Sequence, residues 1–231
     1  MAARIFSVVS VVGLLVASSW ALAVTDSSAQ PAVERESSEQ SPAAVGVFEQ
    51  GDSVCLIGNT LAERMQHDGW LETFMQLAAP ELELSFRNLG FSGDEINNRM
   101  RSANFGTPDD HLKHNKADVV LAFFGYNESF AGAEGLAQFR RDLESLIDRT
   151  QSQDYSGRGN AKIVLFSPIA HEDLKNNSLP DTSAANERLG MYTQAMAEVA
   201  EAKGVPFVDL FRVTMNSYPL MASPLTINGV H

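Results

Sequence analysis

Residues 118–124 read DVVLAFF, a nearly continuous apolar run in the middle of the chain. A run of this length is typical of a central parallel strand that is covered on both faces. Four further runs predict strands around it, at 54–57 (VCLI), 82–88 (LELSFRN), 162–166 (KIVLF) and 206–210 (PFVDL). The sequence therefore predicts five strands.

The segments between these strands have apolar residues every three or four positions, which is typical of amphipathic helices. This spacing runs through 61–77 and 136–147, and a long helix is predicted over 183–203, ended by Gly204 at a C-cap position. Strand and helix alternate throughout. This predicts a three-layer α/β/α fold with a parallel five-stranded sheet in the flavodoxin-like order 2-1-3-4-5.

The N-terminal residues predict export. Residues 1–23 combine a short positive start, an apolar run and an Ala-Leu-Ala cleavage site, as in a secretory signal peptide. An uncleaved membrane anchor is the alternative, although the apolar run is short for a bilayer. Residues 24–46 are rich in Ser, Gln, Glu, Ala and Pro and predict a flexible linker. Residues 47–231 form the predicted folded domain, in the periplasm or outside the cell.

Charge limits the partners. The chain has 17 Lys and Arg against 29 Asp and Glu, a formal net charge of −12. Binding to nucleic acid or to anionic lipid requires clustered basic residues, so both are disfavoured. Cys55 is the single cysteine, which leaves no internal disulfide, and its apolar neighbours predict a buried, inert thiol. Oligomeric state is left open.

In parallel α/β sheets, ligands bind beyond the carboxyl ends of the strands. Small and polar residues follow the first three predicted strands at 58–61 (GNTL), 88–94 (NLGFSGD) and 125–128 (GYNE). The chain ends with 228–231 (NGVH), and 167–172 (SPIAHE) follows the fourth strand. These segments are where we expect a functional site.

In their order and position, these segments resemble the motifs of the SGNH (GDSL-type) ester hydrolases over the whole folded region. The resemblance implies that Thr60 lies at the position of the nucleophilic serine and that His231 is the general base. It implies that the Gly93 backbone N–H and the Asn127 side-chain amide form the oxyanion hole. Asn228 takes the place of the aspartate that orients the histidine. No cofactor or metal is implied, and the substrate would be a small-molecule or glycan ester.

Two of these residues depart from the family pattern, so the sequence leaves two functions open. Thr60 keeps a hydroxyl but adds a methyl group that fixes χ1. Asn228 lacks the negative charge that stabilises an imidazolium, and in a serine protease such a loss lowers turnover by about 10⁴. The chain is therefore either an exported carbohydrate or small-acyl esterase, or a catalytically impaired module that binds a glycan or protein partner.

Smaller features complete the sequence predictions. Gly51-Asp52-Ser53 spells the family tripeptide but precedes the first strand, so Ser53 is expected at the opposite edge of the sheet. Asn59 and Glu128 each replace an aspartate of the family pattern, and we expect both to brace their loops by hydrogen bonds. The family continues past its histidine into a helix, so either the native chain extends beyond His231 or that helix is absent.

A metal site is a possible interpretation of the acidic and histidine residues of one segment. Acidic and histidine side chains cluster within 104–116, at Asp109, Asp110, His111 and His114. Their spacing is loose and no further ligands lie nearby in the sequence, so this segment is predicted to be a polar loop. His171, after the fourth strand, is predicted to be a surface histidine at the pocket rim.

Overall fold

A computed structural model describes residues 46–176, 178–179 and 181–231 of the chain. One sheet contains five strands, β1 Ser53–Gly58, β2 Ser85–Asn88, β3 Val119–Phe123, β4 Lys162–Phe166 and β5 Phe207–Val208. All neighbouring strands are parallel, in the order β2-β1-β3-β4-β5. The predicted fold class and strand order are confirmed.

Helices connect the strands on both sides of the sheet. They are α1 Thr60–Asp68, α2 Trp70–Ala78, α3 Pro108–His114, α4 Gly132–Gln151, α5 Ser183–Lys203 and α6 Leu210–Ser217. Short 3₁₀ turns lie at Pro80–Leu82, Glu128–Ala131 and Tyr218–Leu220.

The sheet separates two apolar cores. On one face, Val120 and Ala122 pack with the buried sides of α4 and α5, including Leu143 and Met196. On the other face, Val119, Leu121 and Phe123 pack with α1 and α2. Every residue of β3 is buried, as a run of apolar residues without alternation predicts. The Cys55 side chain lies in the first core, where desolvation raises the pKa of its thiol to about 12, consistent with an inert group.

The predicted helix over 61–77 is two helices. Gly69 ends α1 in the left-handed conformation, with φ 60°, and its N–H donates to the Met65 carbonyl. A residue without Cβ adopts this conformation easily, so the chain turns there although the apolar spacing continues. The long helix and its Gly204 cap are as predicted, since α5 covers Ser183–Lys203 and Gly204 has φ 64°.

Three other segments differ from the prediction because local turns and helix caps take residues that the pattern assigned to a strand or a loop. A 3₁₀ turn beginning at Pro80 delays β2 until Ser85. Asp209 accepts from the Arg212 N–H and caps α6, which ends β5 after two residues. The 104–116 segment contains helix α3 where a loop was predicted, because Thr107 and Asp110 form a capping box.

The predictions for residues 1–23 and for the 24–46 linker lie outside the described residues, apart from Gly46. No helix in the described ranges is long and apolar enough to cross a membrane.

Gly58 ends β1 beside Phe123, the last residue of β3. It pairs with Phe123 in the sheet and has φ +139°. A Cβ at this position would overlap the Phe123 carbonyl oxygen and lie 2.8 Å from its carbonyl carbon. Both the conformation and the close backbone approach therefore require glycine.

We expect Gly58→Ala to lower the free energy of unfolding by about 2 kcal/mol or more, because conformational strain adds to a clash with backbone that cannot rotate away. Gly157→Ala is the matched control, since Gly157 also has positive φ (84°) but nothing lies within 4 Å of its would-be Cβ. Chemical denaturation of both variants measures the difference. Equal losses in the two would contradict the role assigned to the β1–β3 approach.

Candidate active site

Thr60 is the first residue of α1 and is separated from the β1 strand by one residue, Asn59. The buried Asn59 side chain caps this helix by accepting from the Leu61 N–H at 3.2 Å. The Asn59 N–H donates to the Phe123 carbonyl at 3.1 Å, which fixes the turn to the neighbouring strand. The half-buried Thr60 is thereby held at the carboxyl edge of the sheet, and Asn59 has the bracing role predicted for it.

The loop after β2 lies directly against the first turns of α1. The Asn88 amide donates to the Ala62 carbonyl at 2.6 Å, and a Cβ at Gly90 would be 2.7 Å from the Glu63 nitrogen. The Ser92 hydroxyl donates to the Glu63 carboxylate at 3.3 Å. Gly93 therefore belongs to a loop that packs on the helix that begins with Thr60.

The turn after β3 is tied to the same loop. The Asn127 amide donates to the backbone carbonyl of Asp94 at 2.9 Å, next to Gly93. The Glu128 carboxylate accepts from the Gly125 N–H at 2.8 Å and from the Ile96 N–H at 3.0 Å. The predicted bracing role of Glu128 is confirmed by these bonds, which join the β3 turn to the segment after Asp94.

Desolvation raises the pKa of the Glu128 carboxyl to about 7, and the backbone N–H groups of Glu128 itself, Ile96 and Gly125 oppose this shift because they favour the carboxylate. The carboxyl that joins the two loops therefore changes its protonation close to neutral pH.

Asn228 contacts the His231 ring and also shapes the turn that carries it. The Asn228 Oδ1 accepts from the backbone N–H groups of Val230 at 3.2 Å and of His231 at 3.1 Å. The side-chain amide of Asn228 lies at hydrogen-bond distance from His231 Nδ1, with Oδ1 at 3.0 Å and Nδ2 at 2.9 Å. If Oδ1 accepts from Nδ1–H, Nε2 is left free to take a proton; if Nδ2 donates, Nε2 carries the hydrogen.

Glu172 fixes the C-terminal segment to the rest of the fold. Its buried carboxylate accepts from the Leu225 and Thr226 N–H groups and from the Thr226 hydroxyl, at distances of 2.6–3.0 Å. Its own N–H donates to the Gly229 carbonyl at 2.7 Å. No role was predicted for Glu172; an acidic residue six positions after the end of β4 was the signal, but the residues that its carboxylate binds are more than fifty positions away.

Thr60 and His231 line one small cavity of about 10 Å³, together with apolar groups from the ends of β3 and β4. Its other lining residues include Leu61, Phe123, Phe124, Tyr126, Pro168, Ile169 and Val230. Gly93 and Asn127 are not among the residues that line it. Within the described residues, no hydrogen bond joins the Thr60 hydroxyl to His231. Convergence of all four groups on one oxygen position stays a prediction.

The His231 imidazole favours its neutral form. Burial lowers its pKa below the usual value, the positive charge of Arg64 lowers it further, and Glu63 opposes the shift. A neutral imidazole at physiological pH is the state that a general base requires. His171 lies against the same segment, because a Cβ at Gly229 would be 2.7 Å from its ring.

Ser53 and the acidic residues of 104–116 form hydrogen bonds within the fold and do not line this cavity. Ser53 begins β1, at the opposite end of the strand from Thr60, and its hydroxyl donates to the Asn115 carbonyl at 2.9 Å. Asp109 accepts from the Tyr155 hydroxyl, and Asp110 caps α3. In the described ranges, no three His, Cys, Asp or Glu side chains are grouped so that they could hold a metal ion.

The sequence model of the GDSL-like lipase/acylhydrolase family matches residues 51–231, and this chain belongs to that family. The chain is therefore a hydrolase that acts on ester bonds. No curated protein sequence matches the chain significantly.

Solved structures share the fold. An acetyl-xylooligosaccharide esterase from Geobacillus stearothermophilus is 18% identical, with a TM-score of 0.54 over 80% of this chain and 89% of that one. The aryl esterase of M. smegmatis is 13% identical, with a TM-score of 0.53 over 78% and 90%. A gut microbial diltiazem-metabolizing enzyme is 17% identical, with a TM-score of 0.52 over 71% of this chain; the match spans 38% of that longer protein.

We expect the stability of the protein to fall as the pH rises from 4.5 through about 7, because Glu128 binds its proton more tightly in the folded than in the unfolded chain. The stabilisation from Glu128 is fully present below the pKa of the carboxyl in the unfolded chain and is lost above its pKa in the folded chain. Its size is on the order of 3 kcal/mol, at 1.36 kcal/mol for each pKa unit. The free energies of unfolding of Glu128→Gln and of the parent, measured by denaturation across this pH range, are subtracted from each other. The contributions of the other titrating groups then cancel. Parallel pH profiles for the two proteins would contradict the assignment.

Proposed function

We propose that this protein is an exported esterase that removes small acyl groups from carbohydrate or other small-molecule esters, with Thr60 as the nucleophile. The observation that carries the proposal is the shared cavity of Thr60 and His231, with Asn228 against the imidazole. Export rests on the signal-peptide pattern of residues 1–23, and a mature chain beginning near Val24, found by mass spectrometry of the exported protein, tests it.

In the proposed reaction, the Thr60 hydroxyl attacks the ester carbonyl and its proton passes to His231 Nε2. The carbonyl oxygen becomes an oxyanion that accepts from the Gly93 N–H and the Asn127 amide. Collapse expels the alcohol, which takes the proton from His231 and leaves an acyl-threonine. Water, activated by the same histidine, then releases the acid and restores the Thr60 hydroxyl.

The position of Thr60 supports attack. It lies at the N-terminus of α1, where unpaired N–H groups and the helix dipole favour a developing negative charge. The lowered pKa of His231 keeps the base unprotonated at neutral pH.

The size of the cavity supports a small acyl group. A volume of about 10 Å³ is close to what one water molecule occupies by this measure. The apolar walls from Phe123, Ile169 and Val230 suit a methyl group and leave little room for a longer chain. An acetyl ester is therefore the proposed substrate class, and the acetyl-ester chemistry named for the Geobacillus structure agrees with it.

Thr60→Ser removes the methyl group that restricts χ1 and keeps the hydroxyl. We expect it to raise the hydrolysis of 4-nitrophenyl acetate by roughly tenfold, about 1.4 kcal/mol of activation free energy. Thr60→Val, which has a similar shape but no hydroxyl, abolishes the activity. Asn228→Asp increases the rate further and non-additively, because the residues act as one unit.

Thr73→Ser is the matched control, since Thr73 is exposed on α2 and its hydroxyl donates to the Gly69 carbonyl. Labelling by a fluorophosphonate should follow the same order as the rates. If Thr60→Ser and Asn127→Ala both leave hydrolysis unchanged, the cavity is not an ester-hydrolysis site, and a glycan- or protein-binding module takes the place of this proposal.

Acyl length provides a separate test. We expect kcat/KM for 4-nitrophenyl esters to fall by roughly tenfold or more between acetate and butyrate, because two added methylene groups exceed the cavity. Acetate released from an acetylated xylo-oligosaccharide, measured in parallel, tests the carbohydrate part. A preference for butyrate or octanoate over acetate would overturn the small-acyl assignment while leaving the nucleophile in place.

A further inference from the structure

A second and much larger cavity is lined in part by the loop that contains Gly93. Its volume is about 560 Å³, within the range of small-molecule sites. Apolar walls come from Leu89, Phe91 and Phe105, and the cavity is also lined by Arg99, Arg101 and His111. Thr60 and His231 do not line it, so it is distinct from the proposed catalytic cavity.

Positive charge is concentrated in this cavity although the chain as a whole is strongly acidic. Three arginines line it against a single carboxylate, Asp94. That carboxylate is fully engaged, because both guanidinium nitrogens of Arg101 donate to its two oxygens at 2.7 and 2.8 Å. The Arg101 guanidinium also lies 3.9 Å from the centre of the Phe91 ring. Arg101 and Asp94 therefore form a closed structural unit.

Arg99 has no such partner. Its Nε donates to the Glu95 carbonyl at 3.3 Å, and its guanidinium lies 5.3 Å from the centre of the Phe124 ring. Its Nη2 is buried and has no hydrogen-bond partner within the described part of the chain. Arg99 lines the cavity, and within the described part of the chain no carboxylate pairs with it, so a carboxylate bound there would supply its guanidinium with a charged acceptor.

Within the described residues, no carboxylate near Arg99 accepts a hydrogen bond from its guanidinium. Burial lowers the pKa of the Arg99 guanidinium, the charges of Arg149 and Arg101 lower it too, and Asp94 and Asp109 oppose the shift. Asp94 is occupied by Arg101. Asp109 accepts from the Tyr155 hydroxyl at 2.7 Å and lies 3.6 Å from Arg149. Asp94 and Asp109 are thus both committed to other residues.

We propose that the cavity lined by Phe91, Arg99 and Phe105 binds a small aromatic carboxylate, with the carboxylate accepting from Arg99 and the ring against the two phenylalanines. A planar guanidinium matches a carboxylate in geometry and charge. The apolar walls favour a ring over a sugar acid, which would need further polar partners. Acetate, the small-acyl product, is too small to use these walls. The inference does not depend on catalysis by Thr60.

Benzoate is the probe, and isothermal titration calorimetry on the full chain measures its binding. We expect saturable binding of benzoate and none of benzamide, the neutral analogue of nearly the same shape, or of acetate. Arg99→Gln should weaken the binding of benzoate by about tenfold or more, since it removes a charge-assisted hydrogen bond. Arg99→Lys, which keeps the charge but not the fork, should cause a smaller loss.

Arg87→Gln is the matched control, because Arg87 lines the same cavity but is exposed. It should change the affinity less than twofold. Thr60→Val should bind benzoate as the parent does, which separates this site from the catalytic one. Thermal unfolding shows whether each variant is folded; if Arg99→Gln is not, Arg99→Lys provides the test.

Four results would overturn the proposal. They are the absence of benzoate binding at millimolar concentrations, equal binding of benzamide, unchanged affinity in the folded Arg99 variants, and an equal loss in Arg87→Gln. Tighter binding of phenyl phosphate or glucuronate than of benzoate would also reject the aromatic carboxylate as the ligand class.

Discussion

The backbone hydrogen bonds around Gly58 are the constraint on which the site depends. The Phe91 N–H donates to the Gly58 carbonyl at 2.9 Å, and the Asn59 N–H donates to the Phe123 carbonyl at 3.1 Å. These bonds join the ends of three neighbouring strands, because Phe91 follows β2 and Phe123 ends β3. Polar residues that follow each strand are therefore brought to one edge of the sheet. Only glycine at position 58 allows this arrangement, since any side chain there would separate β1 from β3.

The central strands and their order were predictable because burial on both faces leaves a clear pattern in the sequence. β3 is apolar throughout, and its position in the chain agrees with its place in the middle of the sheet. The predictions that were wrong concern the residues at which helices and strands begin or end. Gly69 turns the chain within a continuous apolar spacing, and Asp209 ends β5 by capping the next helix. Capping and left-handed residues are local events that compete with a periodic pattern, and the pattern does not show which one prevails.

The residues that assemble the site were harder to predict than the residues proposed to react. Thr60, Asn127 and His231 stand in motifs that the sequence displays. The bracing role of Glu128 was predicted, but its bond to the Ile96 N–H, 32 positions away, was not. No role was predicted for Glu172, whose backbone partners Leu225 and Thr226 are 53 and 54 positions away. Any residue can donate a backbone N–H, so the sequence does not show which segment such a carboxylate will join.

The electrostatics of the site follow from its neutral residues. A threonine, a histidine with a lowered pKa and an asparagine bring no fixed negative charge to the site, so an imidazolium formed during attack would have to be stabilised from elsewhere. Glu63 is the carboxylate that raises the pKa of His231, and Arg64, its neighbour on α1, works against it. Glu63 is also the residue to which Ser92 donates, beside Gly93. The same carboxylate thus accepts from the loop that would hold the oxyanion and favours the charged imidazole, but burial and Arg64 outweigh it, so the imidazole stays neutral more readily than a free one.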